Sequence, residues 1–289
     1  MTNPAITEML NSYSCRSDQD YINALREIMQ SVALLALSRN DFFNHAAFYG
    51  ETALRILYGL NRGSEDMDFS LLAPDANFSL GKFGDALETE FASFGLRATF
   101  SKKIKMTAGN IQSAFLKSNT HVQLLSIGLD AALAGRVNAR SEIKIKLEVD
   151  VQPPSGFDTE IKYLYQPLPF AIRSYTLPDL LAGKLHAVLF RSWKSRVKGR
   201  DWYDLVWYAG KHPQYHLSHL EQRARQSADY TDPRPLTELD VQAMLERRLA
   251  GLDIEAMKAD VRPFLRDQRE LEIWSKDFFT DVFRRMKAV

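Results

Sequence analysis

The sequence predicts an α+β protein, in which a domain of mixed strands and helices precedes a domain of helices alone. Up to about residue 175, short stretches of alternating apolar and polar residues, typical of half-buried strands, are interspersed with helical patterns. Beyond it, apolar residues recur every three or four positions, and turn residues separate the segments. This order indicates an α+β or α/β domain over residues 1–175 and a helical domain over 176–289.

Composition excludes several classes of protein. The chain has 289 residues, of which 45% are apolar and 25% charged, as in a globular protein with a sizeable core. The net charge of +1 means that any nucleic-acid site must be a local patch. Cys15 is the only cysteine, which excludes a disulfide framework and a cysteine metal site. Without a signal-peptide pattern or a long apolar run, we expect a soluble, cytoplasmic protein that does not bind membranes.

Two aspartates lie on one predicted strand near the N-terminus. A helix is predicted over 20–39, an apolar stretch then leads to Gly50, and a second helix over 52–58 follows. A short loop leads into a strand that carries Asp66 and Asp68. Alternation directs both carboxylates to the same face, roughly 7 Å apart, where they can share a divalent metal. Oxygen ligands favour Mg²⁺, with Mn²⁺ as the alternative, and Mg²⁺ usually binds together with phosphates. The pattern indicates phosphoryl or nucleotidyl transfer.

A second acidic strand is predicted further along the domain. A helix over 80–94 ends at Gly95, strands follow at 96–104 and 111–116 around a turn at 109–110, and a short helix covers 121–129. The strand over 141–152 then has one apolar face and one polar face. Glu148 and Asp150 lie on the polar face, and either could be the third metal-binding carboxylate. The alternative is that this face is only the solvent side of an amphipathic strand.

The first C-terminal helix carries a lysine among its apolar residues. Helices are predicted at 177–191, 201–209, 216–228, 236–249 and 271–286. Lys184 falls in the middle of the apolar stripe of the first, so it must bind an anion such as a triphosphate or form an internal ion pair with a carboxylate. His186 lies opposite that stripe, and we expect it to be exposed.

Further residues suit phosphate binding. Gly50 permits a close approach of backbone to phosphate, and Arg62 and Ser64 lie on the loop before the acidic strand, where Ser64 could also be only a turn residue. Asp201 and Asp204 lie three positions apart at a helix start, where Asp201 could serve only the helix dipole. The preceding segment could hold an RNA backbone, or be a solvated surface. Its basic residues are Arg191, Lys194, Arg196, Lys198 and Arg200.

These stretches, in this order, resemble the AbiEii/AbiGii toxin family of nucleotidyltransferases, the toxins of type IV toxin–antitoxin systems, which are related to the mycobacterial MenT toxins. The resemblance covers roughly residues 45 to 210. It rests on GETALRILY at 50–58 with RGSEDMDF at 62–69, KLEV at 146–149, LLAGKLH at 180–186 and RVKGRDWYDL at 196–205. The chain departs from the family pattern at Glu51, where the family has Gly or Ser. A carboxylate at this turn would repel a triphosphate.

The resemblance implies a DNA polymerase β-like nucleotidyltransferase fold with a helical C-terminal domain, which contributes Lys184 and Asp201 to the site. Asp66 and Asp68 would bind Mg²⁺, Lys184 would hold the nucleotide, and Asp201 would be an essential acid with Asp204 beside it. Characterised relatives are growth-arresting toxins; some add nucleotides to the 3′ end of tRNA, and one binds GTP. A cognate antitoxin is the implied partner.

The leading hypothesis is a Mg²⁺-dependent toxin that transfers NMP from an NTP to an RNA end, with tRNA as the expected acceptor. Two alternatives remain open at this point. The same chemistry could modify a protein side chain, which the near-zero net charge allows. The protein could also be a non-catalytic nucleotide-binding or antitoxin-binding protein, which Glu51 would explain.

Overall fold

The fold was analysed in a computed structural model, which describes residues 3–103, 110–126, 138, 140–191, 198–265 and 267–289. The chain forms two compact units. The first comprises Met1–Leu57, Ser64–Pro153 and Ile161–Ser174. The second comprises Tyr58–Gly63, Pro154–Glu160 and Tyr175–Val289. The domain boundary at residue 175 stays a prediction, and the second unit also includes two short segments that precede this residue.

A seven-stranded mixed sheet forms the centre of the first unit. Its strands are β1 (Ala46–Tyr49), β2 (Asp66–Leu71), β3 (Thr99–Lys103), β4 (Ile111–Asn119), β5 (Glu142–Asp150), β6 (Thr159–Leu164) and β7 (Phe170–Tyr175). The strand order is β3-β4-β5-β2-β1-β7-β6. The β2–β5 and β1–β7 pairs are parallel, whereas β1–β2, β3–β4 and β4–β5 are antiparallel. The two predicted acidic strands are therefore direct neighbours.

Helices pack against this sheet and bury its apolar face. The described helices of the N-terminal part are α1 (Pro4–Ser12), α2 (Asp18–Arg39), α3 (Gly50–Tyr58), α4 (Gly84–Ser93) and α5 (Thr120–Ser126). Helix α2 starts at a capping box, in which the Ser17 hydroxyl accepts from the Asp20 N–H and the Asp20 carboxylate accepts from the Ser17 N–H. Its buried residues join one core with the apolar positions of β5, including Ile145 and Leu147.

The second unit contains the C-terminal helices. These are α6 (Leu177–Phe190), α7 (Gly199–Lys211), α8 (Leu217–Gln226), α9 (Glu238–Ala250), α10 (Ile254–Val261) and α11 (Lys276–Arg285). Helix α6 packs against α7 and α8, and α7 also packs against α10 and α11. Two short strands, β8 (Gln214–Tyr215) and β9 (Lys287–Ala288), pair in parallel. No helix in the described part of the chain is both long and apolar enough to cross a membrane.

The α+β class is confirmed, and so are most predicted elements. Helices α1 and α10 and strands β6, β7, β8 and β9 lie where the sequence predicted no element. The last helix begins at Lys276 rather than at 271, because a 3₁₀ turn ends at Leu271 and Ser275 caps the helix. The predicted helix at 121–129 is described only to Ser126, and Gly109 of the predicted turn lies outside the described residues.

Candidate functional site

The first group of candidate residues lies on one face of β2 and β5. Asp66 and Asp68 alternate with the buried Met67 and Phe69, so both carboxylates leave the core and lie on the same face. Burial of Met67 and Phe69 thus determines that the two carboxylates point away from the core. The predicted strand and the predicted face are both confirmed.

The β2–β5 register distinguishes the two candidates for a third carboxylate. Glu148 lies directly opposite Asp68, whereas Asp150 lies opposite Ser70, one pair further along the strands. Residues opposite each other point to the same face of a sheet. Glu148 is thus the nearer neighbour of the aspartate pair. It contacts Lys146 Nζ at 2.6 Å and accepts a hydrogen bond of 3.0 Å from the Ser113 hydroxyl on β4.

The electrostatics of this face show an excess of negative charge. Burial is the largest cause of a raised pKa at the Asp66 carboxyl, although the end of the side chain reaches solvent. Lys146 opposes that rise, whereas Glu148, Glu65 and Glu51 add to it. Several carboxylates that resist one another's ionisation are stabilised by a cation.

Backbone packing around Gly50 brings helix α3 close to the aspartate pair. Gly50 adopts a φ of +81°, in the left-handed region that side chains disfavour. A Cβ atom at this position would lie 2.5 Å from Asp68 Oδ2. The backbone at Gly50 therefore lies close to a carboxylate. Contact with a phosphate stays a prediction.

Ser64 belongs to a hydrogen-bonded network that holds the loop before β2. The buried Thr52 hydroxyl donates to Ser64 Oγ at 2.8 Å and contacts the Asp66 carbonyl. Gln30 Nε2 donates to the Ser64 and Glu65 carbonyls at 3.2 and 3.3 Å. These contacts support the interpretation of Ser64 as a structural residue of the loop. Its predicted nucleotide contact is untested.

The donor set on β2 and β5 fits a hard divalent cation. Asp66, Asp68 and Glu148 supply only carboxylate oxygens, the ligands that Mg²⁺ favours, and burial together with the neighbouring carboxylates raises the pKa of Asp66. Within the described residues, these three do not form a set whose ligand atoms all lie within 4.8 Å of one another. Their side chains would therefore rotate on binding one shared ion.

The second group of candidates is a buried ion network in the second unit. Lys184 is only 8% exposed, and its Nζ lies 2.7 Å from Asp201 Oδ1 and 2.8 Å from Asp204 Oδ2. Arg62, whose side chain is fully buried, donates through Nε and Nη2 to the two carboxylate oxygens of Asp204, both at 2.7 Å. Two cations and two anions balance, which makes burial of all four charges tolerable.

For Lys184, the sequence predicted either an internal ion pair or the binding of an anion. The internal ion pair is present, with two carboxylates rather than one. Binding of an anion by Lys184 stays a prediction. A nucleotide contact by Arg62 also stays a prediction, and it would require the pair with Asp204 to open.

The start of α7 explains why Asp201 and Asp204 lie where they do. A Cβ atom at Gly199 would lie 2.0 Å from the Met257 carbonyl oxygen of α10, so only glycine fits this first position. Asp201 then falls in the first turn of the helix, and Asp204 lies one turn later on the same side. Close packing of α7 on α10 thus positions both carboxylates.

The prediction for His186 is wrong. Its side chain is only 13% exposed, because the end of α8 covers this face of α6. The ring Nε2 lies 3.0 Å from Ser227 Oγ and 3.4 Å from Asp229 Oδ2. Burial and the nearby Arg223 lower the pKa of His186 to about 4. The helical wheel gave the correct face of α6 but could not show what packs there.

The basic segment is described only in part. Lys194 and Arg196 lie outside the described residues. Arg191 is exposed and follows the end of α6, where its carbonyl accepts from Arg248 Nη2 at 2.6 Å. The guanidinium of Arg200 lies 4.4 Å from the centre of the Phe264 ring, and Lys198 is partly buried. RNA binding by this segment is untested.

Several residues of the two networks were missed by the sequence analysis. Thr52 and Gln30 support the loop before β2, and Ser113 holds Glu148. The pairing of Arg62 with Asp204 was also missed, since 142 positions separate the two residues. Polar residues at buried positions of otherwise apolar patterns, such as Gln30 within α2, were the available signal.

Solved structures include chains similar to this one. The crystal structure of JHP933 from Helicobacter pylori is similar in fold, with a TM-score of 0.50 and 17% identity over 90% of this chain and 89% of that one. A second H. pylori protein, provisionally described as a nucleotidyltransferase, has a TM-score of 0.46 and 19% identity over 88% and 89%. A search of curated proteins returned no match.

The family assignment comes from the sequence as a whole. Residues 32–282 match the family described as "Nucleotidyl transferase AbiEii toxin, Type IV TA system". The match includes both acidic strands and the Lys184 network, and it extends well beyond the region in which the motifs were recognised. The chain belongs to the AbiEii family of toxin nucleotidyltransferases of type IV toxin–antitoxin systems.

Proposed function

We propose that the enzyme transfers NMP from an NTP to the 3′-hydroxyl of an RNA, that the RNA is a tRNA, and that the reaction depends on Mg²⁺. The observation that carries this proposal is the register of β2 and β5. It places Glu148 opposite Asp68 on the face that also carries Asp66. Two carboxylates on one strand and a third on its neighbour are a donor set suited to metal-dependent nucleotidyl transfer.

The proposed reaction is a substitution at the α-phosphorus. The 3′-hydroxyl oxygen forms a bond to this phosphorus, and the bond from phosphorus to the bridging oxygen of the β-phosphate breaks. The hydroxyl proton passes to solvent, and pyrophosphate leaves. Mg²⁺ held by Asp66, Asp68 and Glu148 would supply activation of the hydroxyl and neutralisation of the developing charge.

Neighbouring residues of the first unit hold the carboxylates of Glu148 and Asp68 in place. The Ser113 hydroxyl and Lys146 fix Glu148, and the absence of a side chain at Gly50 leaves space for the Asp68 carboxylate. Preorganisation of this kind reduces the reorganisation needed when charge develops on the reacting phosphate. Glu51 opposes binding of a phosphate, because its carboxylate adds to the negative charge beside Asp66.

Lys184 is the proposed cation for the triphosphate. Its Nζ is held by Asp201 and Asp204, and Arg62 supports Asp204 from the other side. Both carboxylates contact the lysine Nζ and thereby restrict its position. We propose that binding of a triphosphate draws the ammonium away from this pair, while Arg62 keeps Asp204 compensated.

The basic residues between α6 and α7 are the proposed guide for the RNA. Among those that are described, Arg191 is exposed, and Lys198 and Arg200 lie at the start of α7. Phosphate contacts of this type supply affinity without sequence preference. Membership of a type IV toxin–antitoxin family implies a cognate antitoxin as a further partner.

The proposal is tested with purified protein, α-labelled NTPs, total tRNA and Mg²⁺. Wild type should transfer label to tRNA, and Glu148→Gln should reduce the rate by about 100-fold or more, because it removes a proposed metal-binding oxygen. Glu142→Gln is the matched control. It makes the same change on the same face of β5, at an exposed residue paired only loosely with Lys144.

The acceptor is identified by treating labelled lysate with RNase before electrophoresis. Loss of the label after RNase supports an RNA acceptor. Label that survives RNase and is removed by protease would show a protein acceptor instead, with the same chemistry. Absence of transfer to either class with every NTP, or equal rates for Glu148→Gln and Glu142→Gln, would contradict the proposed reaction.

A further inference from the structure

The second unit contains a cavity that the proposed reaction does not use. Its volume is about 430 Å³, within the range of small-molecule sites. The side chains that decide its chemistry are those of Asn61, Tyr203, Trp207, Lys211 and Glu270. Two are aromatic, one is a cation and one is an anion. The cavity therefore has both an apolar surface and charged groups at its edge.

Helix α7 links this cavity to the ion network. Tyr203, Trp207 and Lys211 recur every four residues and thus form one stripe along the helix. The next residue after Tyr203 is Asp204, which pairs with Arg62, and the residue before Arg62 is Asn61. The cavity and the Lys184 network therefore share the same two segments of chain.

The carboxylate in the cavity already has its partners. Glu270 accepts a 2.7 Å hydrogen bond from the Tyr203 hydroxyl and a 3.1 Å hydrogen bond from Asn61 Nδ2. Burial and this bond raise the pKa of Tyr203 above its usual range, so the phenol stays a donor. Glu270 therefore orients Tyr203 and Asn61.

Two residues that line the cavity have donors without a hydrogen-bond acceptor among the described residues. Trp207 is 8% exposed, and its indole Nε1–H is buried without a hydrogen-bond partner among the described residues. Lys211 is exposed, its Nζ lies 5.3 Å from the centre of the Trp207 ring, and it forms no ion pair with a described residue. The indole Nε1–H is closed to solvent, so the donor that a ligand in the cavity can reach is the Lys211 ammonium.

We propose that this cavity binds one nucleoside monophosphate unit. The base lies against Tyr203 and Trp207, and the phosphate binds Lys211. A base has a planar π surface and ring acceptors, and a phosphate suits a lysine at the rim. The unit is either a free mononucleotide or a nucleotide of the acceptor RNA; this second source rests on the proposed function.

Binding is measured by calorimetry with the four 5′-mononucleotides, adenosine and ribotrinucleotides. Lys211→Glu should weaken the binding of mononucleotides about tenfold or more, because their phosphate contacts the lysine. Adenosine has no phosphate, so its binding should weaken by less than about twofold. Arg284→Glu is the matched control, since it reverses an exposed charge on α11. Trp207→Phe should weaken adenosine and the mononucleotides alike, by about threefold or more.

The same titrations in an Asp68→Asn background separate this proposal from the proposed reaction. Binding there should equal that of the wild type whether or not the protein transfers nucleotides. Binding of mononucleotides identifies a site for free nucleotides. Binding of trinucleotides without binding of mononucleotides identifies a site for the acceptor strand. If no ligand binds at about 1 mM, or if Lys211→Glu and Arg284→Glu have equal effects, the cavity is not a nucleotide site.

Discussion

Substitution of Gly50 by alanine should separate the cost to stability from the cost to catalysis. Gly50 has a φ of +81°, which disfavours any side chain by about 1–3 kcal/mol. Its added Cβ would also lie 2.5 Å from Asp68 Oδ2, about 1 Å closer than an ordinary van der Waals contact. The cheapest relief is a shift of that carboxylate. A shift of about 1 Å in a reacting group can reduce a rate about 100-fold.

Gly95→Ala provides the matched control. Gly95 has a similar φ of +73° at the end of α4, but a Cβ atom there would have no neighbour within 4 Å. Urea unfolding should show similar losses of about 1–3 kcal/mol for the two variants. Single-turnover transfer of a labelled nucleotide should be about 100-fold slower for Gly50→Ala only. A rate for Gly50→Ala within about threefold of that for Gly95→Ala would refute the argument.

Three further predictions concern buried or crowded charges. Lys184→Met should lower the free energy of unfolding by about 3 kcal/mol, because it leaves Asp201 buried without its cation. In urea titrations, adding Asp201→Asn should restore part of this loss. If stability does not recover in the double variant, the pairing of Lys184 with Asp201 is contradicted. Burial lowers the pKa of His219 from 6.5 to about 3, so the unfolded chain takes up a proton first and stability falls as the pH drops below 6.5. Urea midpoints at pH 7 and 4.5 should show that His219→Gln removes about 2–3 kcal/mol of that loss, and an equal pH dependence in both proteins would exclude the histidine. Glu51→Ser should lower the pKa of Asp66 and reduce the KM for NTP about fivefold, because it removes a negative charge near the aspartate. An unchanged KM would show that the Glu51 carboxylate does not affect nucleotide binding.

Much of the first unit could be predicted because its signals are local. Alternation of apolar residues identified β2 and β5 and the faces that carry Asp66 and Glu148. The 3.6-residue period identified α2 and α6. Strands β6 and β7 were missed, and the alternating apolar residues Ile161 and Tyr163 of β6 are exposed in the structure.

The candidate site was predictable as a set of residue types and only partly as an arrangement. The position of Lys184 in an apolar stripe showed that it needs an anionic partner, because an isolated buried ammonium is costly. The two partners it has, and the role of Arg62, depend on the packing of α6 against α7 and on a pairing across 142 positions. His186 was misjudged for the same reason, since its cover comes from the end of α8.

The sequence by itself determined the family, the α+β class and the two acidic faces, because periodicity and motif spacing are properties of neighbouring residues. Only the tertiary structure decided that Glu148, and not Asp150, lies opposite Asp68, since strand register depends on how two distant segments pair. It also decided that the close neighbour of Gly50 is the Asp68 carboxylate. The segment from Gly50 to Phe69 indicates the chemistry, and the long-range packing around it selects the neighbours of the two aspartates.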